Sequence, residues 1–90
     1  MIVLILEAVK PSLRGEITRW LLEPHPGVFV GRVSAMVRES LWDKCCQASG
    51  SGGVILIHAA VNDQGYAIRL HGRTRRQVVD MEGLQLIMKQ

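Results

Sequence analysis

The sequence has few of the residues that build disulfide frameworks or zinc sites. Its two cysteines, Cys45 and Cys46, are adjacent, and neighbouring cysteines do not suit the geometry of a disulfide bridge. Its histidines, His25, His58 and His71, are scattered and show no spacing typical of a zinc site. We therefore interpret the cysteines as small, buried apolar residues of a reducing compartment and His58 as a histidine of the core or of an interface.

Several common functional signatures are also missing. There is no Gly-x-Ser-x-Gly, Walker or dinucleotide-binding motif, and the glycine-rich stretch 49–53 lacks the lysine of a phosphate-binding loop. No apolar run approaches the roughly 20 residues of a membrane span, and no signal peptide is recognisable. We therefore expect a cytoplasmic protein without membrane contacts. The few aromatic residues and the lack of a groove-reading helix motif argue against recognition of specific bases.

What the sequence does contain is a high share of apolar residues for a short chain. Its 90 residues predict one domain, 1–90, and 48% of them are hydrophobic. A domain of this size buries only about 60–65% of the surface that its unfolded chain exposes. We therefore expect a second subunit to cover the excess apolar surface. A core of ordinary size with two fully buried strands is the alternative.

Apolar periodicity predicts the element order β-α-β-α-β-β-β. The strands 2–8 and 54–61 are apolar on both faces, which is typical of strands at the centre of a sheet. Between them we predict a helix that Ser12 caps and that presents Leu13, Ile17, Trp20 and Leu21 on one apolar face. A strand at 28–33 and a second helix, from a Ser34 cap to about Ala48, follow it. The last predicted elements are an edge strand at 66–72, a basic loop at 73–76 and a strand from Leu84.

These elements favour a ferredoxin-like α+β sandwich, with two helices on one face of a mainly antiparallel sheet. Such an arrangement leaves the other face of the sheet without a layer, although both central strands are apolar on that side as well. A second copy of the chain would supply the missing layer. The sequence therefore predicts a homodimer that associates through the faces of its sheets.

Glu7 is a carboxylate at the end of the first apolar strand. With Glu7 of a second subunit and phosphate oxygens it could hold Mg²⁺, or it could act as a general base. Alternatively it is a solvated residue, or it pairs with Lys10 or Arg14. The sequence leaves these interpretations open.

Positive charge collects in two places. One is residues 73–76, here called the basic segment, which contains Arg73, Arg75 and Arg76, with Arg69 and His71 upstream of it. The other is the start of the first helix, with Lys10 and Arg14. Guanidinium groups pair with phosphate in a bidentate way, and a dimer would double every such group. The pattern predicts contacts to the backbone of a nucleic-acid duplex; a solvated loop that aids solubility is the alternative.

Short motifs spread over nearly the whole chain point to a known family. In order they are Glu7 after an apolar strand, Pro11-x-Leu13-Arg14-Gly15, Arg19-Trp20-Leu21-Leu22-Glu23, Gly27-Val28-Phe29-Val30-Gly31, and Arg75-Arg76 before Val79-Asp80-x-x-Gly83-Leu84. In this combination the chain resembles the small CRISPR-associated adaptation protein, the second of the two universal CRISPR proteins, in its type I-E form.

The resemblance implies a ferredoxin-like homodimer that works in spacer acquisition during antiviral defence. It implies a non-catalytic scaffold that binds duplex protospacer DNA and bridges two dimers of the CRISPR integrase. Arg14, Arg75 and Arg76 would then contact the duplex backbone, and the segment 84–90 would meet the integrase. Ser12 stands where the family suggests a further basic residue.

The resemblance also carries an alternative function for Glu7. Many relatives have the metal-binding aspartate of a proposed nuclease site at this place, so Glu7 of both subunits could form a Mg²⁺-dependent endonuclease acting on DNA or RNA. A small regulatory domain that binds a metabolite is a third possibility for a fold of this class.

Overall fold

The computed structural model describes residues 1–72, 76–81 and 84–89. Five strands form an antiparallel sheet in the order β2-β3-β1-β4-β5, and β6 and β7 pair as a separate antiparallel hairpin. The expected α+β ferredoxin-like arrangement is confirmed. In chain order the elements are β1 (Ile2–Glu7), α1 (Pro11–Ile17), β2 (Leu22–His25), β3 (Val28–Gly31), α2 (Ala35–Ala48), β4 (Gly53–Ala59), β5 (Tyr66–Gly72), β6 (Arg76–Met81) and β7 (Leu84–Lys89).

The strand β1 lies at the centre of the five-stranded sheet, as its unbroken apolar sequence predicts. Leu4 pairs with Phe29 of β3 on one side and with Leu56 of β4 on the other, and all three are buried. Because successive strand residues point to opposite faces, alternate residues of β1 share the face of Leu4. Leu13 and Ile17 of α1 belong to the same core. This helix-side core fixes the position of the end of β1.

The other face of the sheet, here called the second face, is also apolar. Val3 lies between Val30 and Ile57 in the register, and Ile55 is fully buried although it does not belong to the helix-side core. Most side chains of the second face are half-buried; they include Val3, Ile5, Val28, Val30, Ile57, Ile68 and Leu70. The two-sided apolar pattern of β1 and β4 therefore corresponds to two apolar faces of the folded sheet.

The helix α2 confirms its predicted start and apolar face. The Ser34 side chain accepts a hydrogen bond of 3.2 Å from the backbone N–H of Val37, which satisfies one of the free donors at the helix start. Leu41 and Cys45 are buried, and Trp42 packs against the core. The helical spacing of Val37, Leu41 and Cys45 was sufficient to identify the side of α2 that packs on the core.

The first helix begins close to its predicted start, but the predicted cap and the predicted extent were wrong. Lys10 is the N-cap residue of α1 and no side chain caps the helix, so Ser12 lies inside its first turn. The helix ends at Ile17, whose carbonyl accepts hydrogen bonds from the N–H groups of Trp20 and Leu21 in a closing turn. Leu21 is buried, but Trp20 is 58% exposed. Helical spacing placed Trp20 on the core face, whereas the early end of the helix turns it outward.

The structure contains two strands that the sequence did not predict, β2 and β6. The strand β2 contains Pro24 and does not alternate, and it lies at the sheet edge, where a proline without an N–H is tolerated. The strand β6 begins at Arg76, which was predicted to belong to a loop. Arg73 and Arg75 of the basic segment lie outside the described residues.

Gly52 occupies a position where the chain closely approaches the end of β1. A β-carbon at Gly52 would collide with the carbonyl oxygens of Glu7 and Ala8, which are backbone atoms and cannot rotate away. At Gly15, in contrast, no atom lies within 4 Å of such a β-carbon. Gly15 is therefore a surface glycine of α1 with open space around it.

We expect these two glycines to respond in opposite ways to replacement by alanine. Gly52→Ala should lower the free energy of unfolding by about 1–3 kcal/mol, because the new methyl group forces the backbone to shift. Gly15→Ala should raise it by roughly 0.5–1 kcal/mol, since alanine is the better helix former. Urea denaturation of both variants measures the difference. A Gly52→Ala variant as stable as the parent protein would contradict the close approach.

Candidate nucleic-acid interface

The sheet register brings several of the predicted functional residues to one end of the fold. Glu7, the last residue of β1, pairs with Gly53 of β4, and Gly53 pairs with Gly72 of β5. The basic segment follows Gly72 directly, and Lys10 starts α1 three residues after Glu7. The end of β1, the start of α1 and the point where the chain enters the basic segment therefore lie close together.

Gly72 is required where the chain leaves β5. Its φ angle of 77° lies in the left-handed region that favours glycine, and a β-carbon there would collide with the carbonyl oxygen of Gly52. Gly52 in turn lies against Glu7 and Ala8. This backbone packing fixes the end of β5 against the end of β1.

Arg14 is half-exposed and forms an ion pair. Its Nε and Nη2 atoms donate to Glu23 Oε2 at 3.1 and 2.8 Å, and the same oxygen accepts a hydrogen bond of 2.8 Å from the Gly27 N–H. The Gly27 N–H, and secondarily the Arg14 guanidinium, lower the pKa of Glu23. The Arg14 side chain is 36% exposed and its Nη1 takes no part in these bonds. Arg14 is thus oriented by Glu23 and remains partly exposed.

Lys10, at the start of the same helix, is exposed. Its backbone carbonyl accepts the N–H of Leu13 at 3.1 Å, so the residue is held at its backbone while the ammonium group remains in solvent. Lys10 and Arg14 are four residues apart, which places them on one side of a helix. Both cations therefore belong to the end of the sheet described above.

Arg69 does not add to this charge as the sequence suggested. It reaches the helix side, where its two terminal nitrogens bind the Glu39 carboxylate at 2.7 and 2.8 Å and its guanidinium lies 5.8 Å from the centre of the Trp42 ring. Arg69, followed by Arg38, lowers the pKa of Glu39 to about 2. His71 meets the edge of the same indole at 6.4 Å between ring centres. This cluster fastens β5 to α2, and Arg69 is bound within it to Glu39, which also accepts a hydrogen bond from Arg38.

Glu7 is half-buried at the end of β1. Within the described ranges, no three His, Cys, Asp or Glu residues are grouped closely enough to hold a metal ion. Magnesium sites commonly use one or two carboxylates together with water and phosphate oxygens. A site at Glu7 would therefore need its second carboxylate from a partner subunit, and both its catalytic and its metal-binding roles remain predictions.

A comparison with protein families shows which family the chain belongs to. Residues 1–86 match the family described as CRISPR-associated protein (Cas_Cas2CT1978). The chain belongs to this Cas2-like CRISPR-associated family. The match spans almost the full sequence and confirms the resemblance drawn from its short motifs, which places the protein in CRISPR defence.

Other sequence predictions for this Cas2-like chain can be compared with its structure. Cys45 is buried and its surroundings raise the pKa of its thiol to about 12, chiefly through desolvation, so it behaves as a core residue. His58 is buried on the helix side with Nδ1 2.9 Å from the Ala59 carbonyl oxygen, as expected of a core histidine. In the part of the chain that the structure describes, no helix has the length and apolar character needed to cross a membrane.

Two features of the Cas2-like site had little or no signal in the sequence. Arg14 and Glu23 are nine residues apart and belong to different elements, so no helical spacing predicts their ion pair. The collection of Gly52 and Gly72 around Glu7 also depends on strand pairing. A glycine just before a run of arginines was the only available sign that the backbone there is special.

Proposed function

We propose that this Cas2-like protein is a non-catalytic, dimeric scaffold of spacer acquisition that binds duplex protospacer DNA and bridges dimers of the CRISPR integrase. The observation that carries the proposal is the register of Glu7, Gly53 and Gly72. It places the entry to the basic segment beside the start of α1, with its Lys10 and Arg14. A duplex backbone is the partner that such clustered cations fit, because guanidinium and ammonium groups neutralise phosphates.

The second face supports the dimer. Its half-buried side chains are all aliphatic near the centre of the sheet, where Val3, Val30 and Ile57 are neighbours. Association through this face would bury apolar surface and bring two copies of the basic segment into one particle. The resulting twofold arrangement matches the symmetry of a DNA backbone, which has two strands to contact.

Arg14 supports recognition of the backbone rather than of bases. Because Glu23 already holds its Nε and Nη2, a phosphate that approaches Nη1 meets an oriented guanidinium instead of a freely rotating one. Phosphate contacts set the position of a protein on a duplex without reading sequence. This suits a scaffold that has to accept spacers of many sequences.

The C-terminal hairpin supports an integrase contact. The strand β7 pairs antiparallel with β6 along its whole length. The first pair of the register is Met81 with Leu84, and the last is Arg76 with Lys89. Among the described strands, none pairs with the other edge of β7. A partner can add a strand to such an edge through backbone hydrogen bonds. We propose the segment 84–90 as the part that meets the integrase.

A Mg²⁺-dependent endonuclease that uses Glu7 of both subunits is the second candidate. The position of Glu7 at the end of the central strand, at the same end of the fold as the cations, favours it. In that case the two carboxylates would hold the metal ion and the arginines would position the nucleic acid. The scaffold and the nuclease require different things of Glu7, and this difference can be measured.

We expect Glu7→Gln to leave duplex affinity and spacer acquisition within about twofold of the parent protein, because the scaffold needs no carboxylate there. Glutamine keeps the size of the side chain, so the dimer should persist, which sedimentation can verify. Spacer acquisition is measured by the growth of a repeat array in cells. Loss of acquisition by a variant that still folds and dimerises would favour the nuclease and overturn the scaffold.

A further inference from the structure

Arg14 and Arg69 are bound to carboxylates in different ways. Arg69 uses the end of its guanidinium group, because Nη1 and Nη2 donate to Oε1 and Oε2 of Glu39 at 2.7 and 2.8 Å. Arg14 uses the side of the group, because Nε and Nη2 both donate to the single oxygen Oε2 of Glu23, at 3.1 and 2.8 Å. Glu39 therefore occupies the terminal fork of Arg69, formed by Nη1 and Nη2, whereas the terminal fork of Arg14 lies outside its ion pair.

The terminal fork of Arg14 has the donors that a phosphate needs. A guanidinium group carries five N–H donors in one plane, and the pair with Glu23 uses one from Nε and one from Nη2. Parallel hydrogen bonds from Nη1 and Nη2 match the spacing of two phosphate oxygens. Arg14 can therefore hold Glu23 with one edge of the group and a phosphate with the next.

The Glu23 carboxylate is itself held by the backbone at the end of β1. Its Oε2 accepts a hydrogen bond of 2.8 Å from the N–H of Gly27, and the carbonyl oxygen of Gly27 accepts the N–H of Leu6 at 2.8 Å. The φ angle of Gly27 is 81°, and a β-carbon there would lie 2.7 Å from the carbonyl oxygen of Leu6. The position of Glu23 therefore depends on the central strand as well as on Arg14.

A carboxylate beside a phosphate-binding arginine has two opposite effects. Its negative charge repels the duplex backbone, which weakens binding. It also orients the arginine before binding, and each long side chain that needs no further ordering strengthens binding by about threefold. In a dimer with two copies of Arg14 the gain is about tenfold. Because the side-on pair leaves the terminal fork to the phosphate, we expect the second effect to exceed the first.

We propose that Glu23 is a positioning residue, which holds Arg14 by one edge of its guanidinium group so that the terminal fork meets a phosphate of the duplex. The inference rests on the proposed scaffold function and assigns a residue to its DNA contact. Two other roles are possible for the same pair. Glu23 could only join α1 to the turn between β2 and β3, or it could compete with phosphate for Arg14.

Duplex binding by Glu23→Ala separates these roles. The variant should bind a labelled duplex about tenfold more weakly at about 100 mM salt, although it has lost a negative charge. The slope of log K against log salt should stay parental, because Arg14 still neutralises its phosphate, whereas Arg14→Ala should make the slope shallower by about two units in a dimer. In the Arg14→Ala background, Glu23→Ala should change the affinity by less than about twofold. Fluorescence anisotropy at several salt concentrations measures these quantities.

Glu16→Ala is the matched control. Glu16 also lies on α1, but its partner is Lys44 at 3.2 Å, so the change removes the same charge and leaves the Arg14 pair in place. It should leave the duplex affinity unchanged or raise it by up to about threefold. Glu23→Gln keeps an oxygen that can accept the Gly27 N–H, so it should retain the fold and bind with an affinity between those of the parent protein and Glu23→Ala. Circular dichroism verifies the fold of each variant.

Other outcomes overturn the role of Glu23. Stronger binding by Glu23→Ala would show that the carboxylate competes with phosphate, and an equal loss with and without Arg14 would show that it only supports the fold. Parental binding by Glu23→Ala would show that Arg14 needs no orientation. All three outcomes leave the scaffold intact, provided that the parent protein binds duplex DNA. A parent protein without salt-sensitive duplex binding would overturn the scaffold, and the role of Glu23 with it.

Discussion

Replacing Arg73, Arg75 and Arg76 together by alanine is expected to lower the affinity of the protein for duplex DNA at least about a hundredfold near 100 mM salt. In a dimer the change removes six cations, and the dependence of log K on log salt falls by about 0.9 for each phosphate that is no longer neutralised. The salt slope should therefore become shallower by about five units. Titration of a labelled duplex at several salt concentrations measures both quantities.

Arg69→Gln is the control for this variant. It removes one cation from the same stretch of sequence, but Arg69 is bound to Glu39 and lies against Trp42 on the helix side. Its replacement should cost some stability and leave the salt slope for duplex binding unchanged. A triple variant with the parental slope would contradict the role of the basic segment, and a reduced slope in Arg69→Gln would show that charge anywhere in this stretch contributes.

Val3→Glu is expected to abolish the proposed dimer, raising its dissociation constant at least about a hundredfold. Val3 lies on the central strand between Val30 and Ile57, in the middle of the second face. A dimer would bury two unpaired carboxylates there, and a buried charge without a partner costs several kcal/mol. Because every 1.4 kcal/mol is a factor of ten, sedimentation over a range of concentrations should show monomers only.

The same change at a fully exposed position provides the comparison. Val61 lies in the turn between β4 and β5 and is fully exposed, so Val61→Glu should alter neither the fold nor the dimer. Val3→Glu should also weaken duplex binding, since each monomer carries only one basic segment. A Val3→Glu protein that remains dimeric would place the interface elsewhere. Together, the arginine and Val3 variants separate loss of DNA binding from loss of the dimer.

The sequence by itself determined the centre of the fold and the family. The unbroken apolar run of β1 predicted a central strand with two apolar faces, and Ser34 with the spacing of Leu41 and Cys45 defined α2. These features are local, because an apolar periodicity and a capping hydroxyl depend on residues close together in the chain. The apolar character of the second face followed from the same two-sided pattern in β1 and β4.

Tertiary structure alone decided the features that involve distant residues. The edge strand β2 exists because β3 supplies its hydrogen bonds, although Pro24 makes its sequence a poor strand. The pairing of Arg14 with Glu23, and of Arg69 with Glu39, depends on which elements lie side by side. The positions of arginine and lysine in the sequence therefore showed which residues could bind phosphate. Only the packing of the elements decided which of the described arginines are bound to carboxylates.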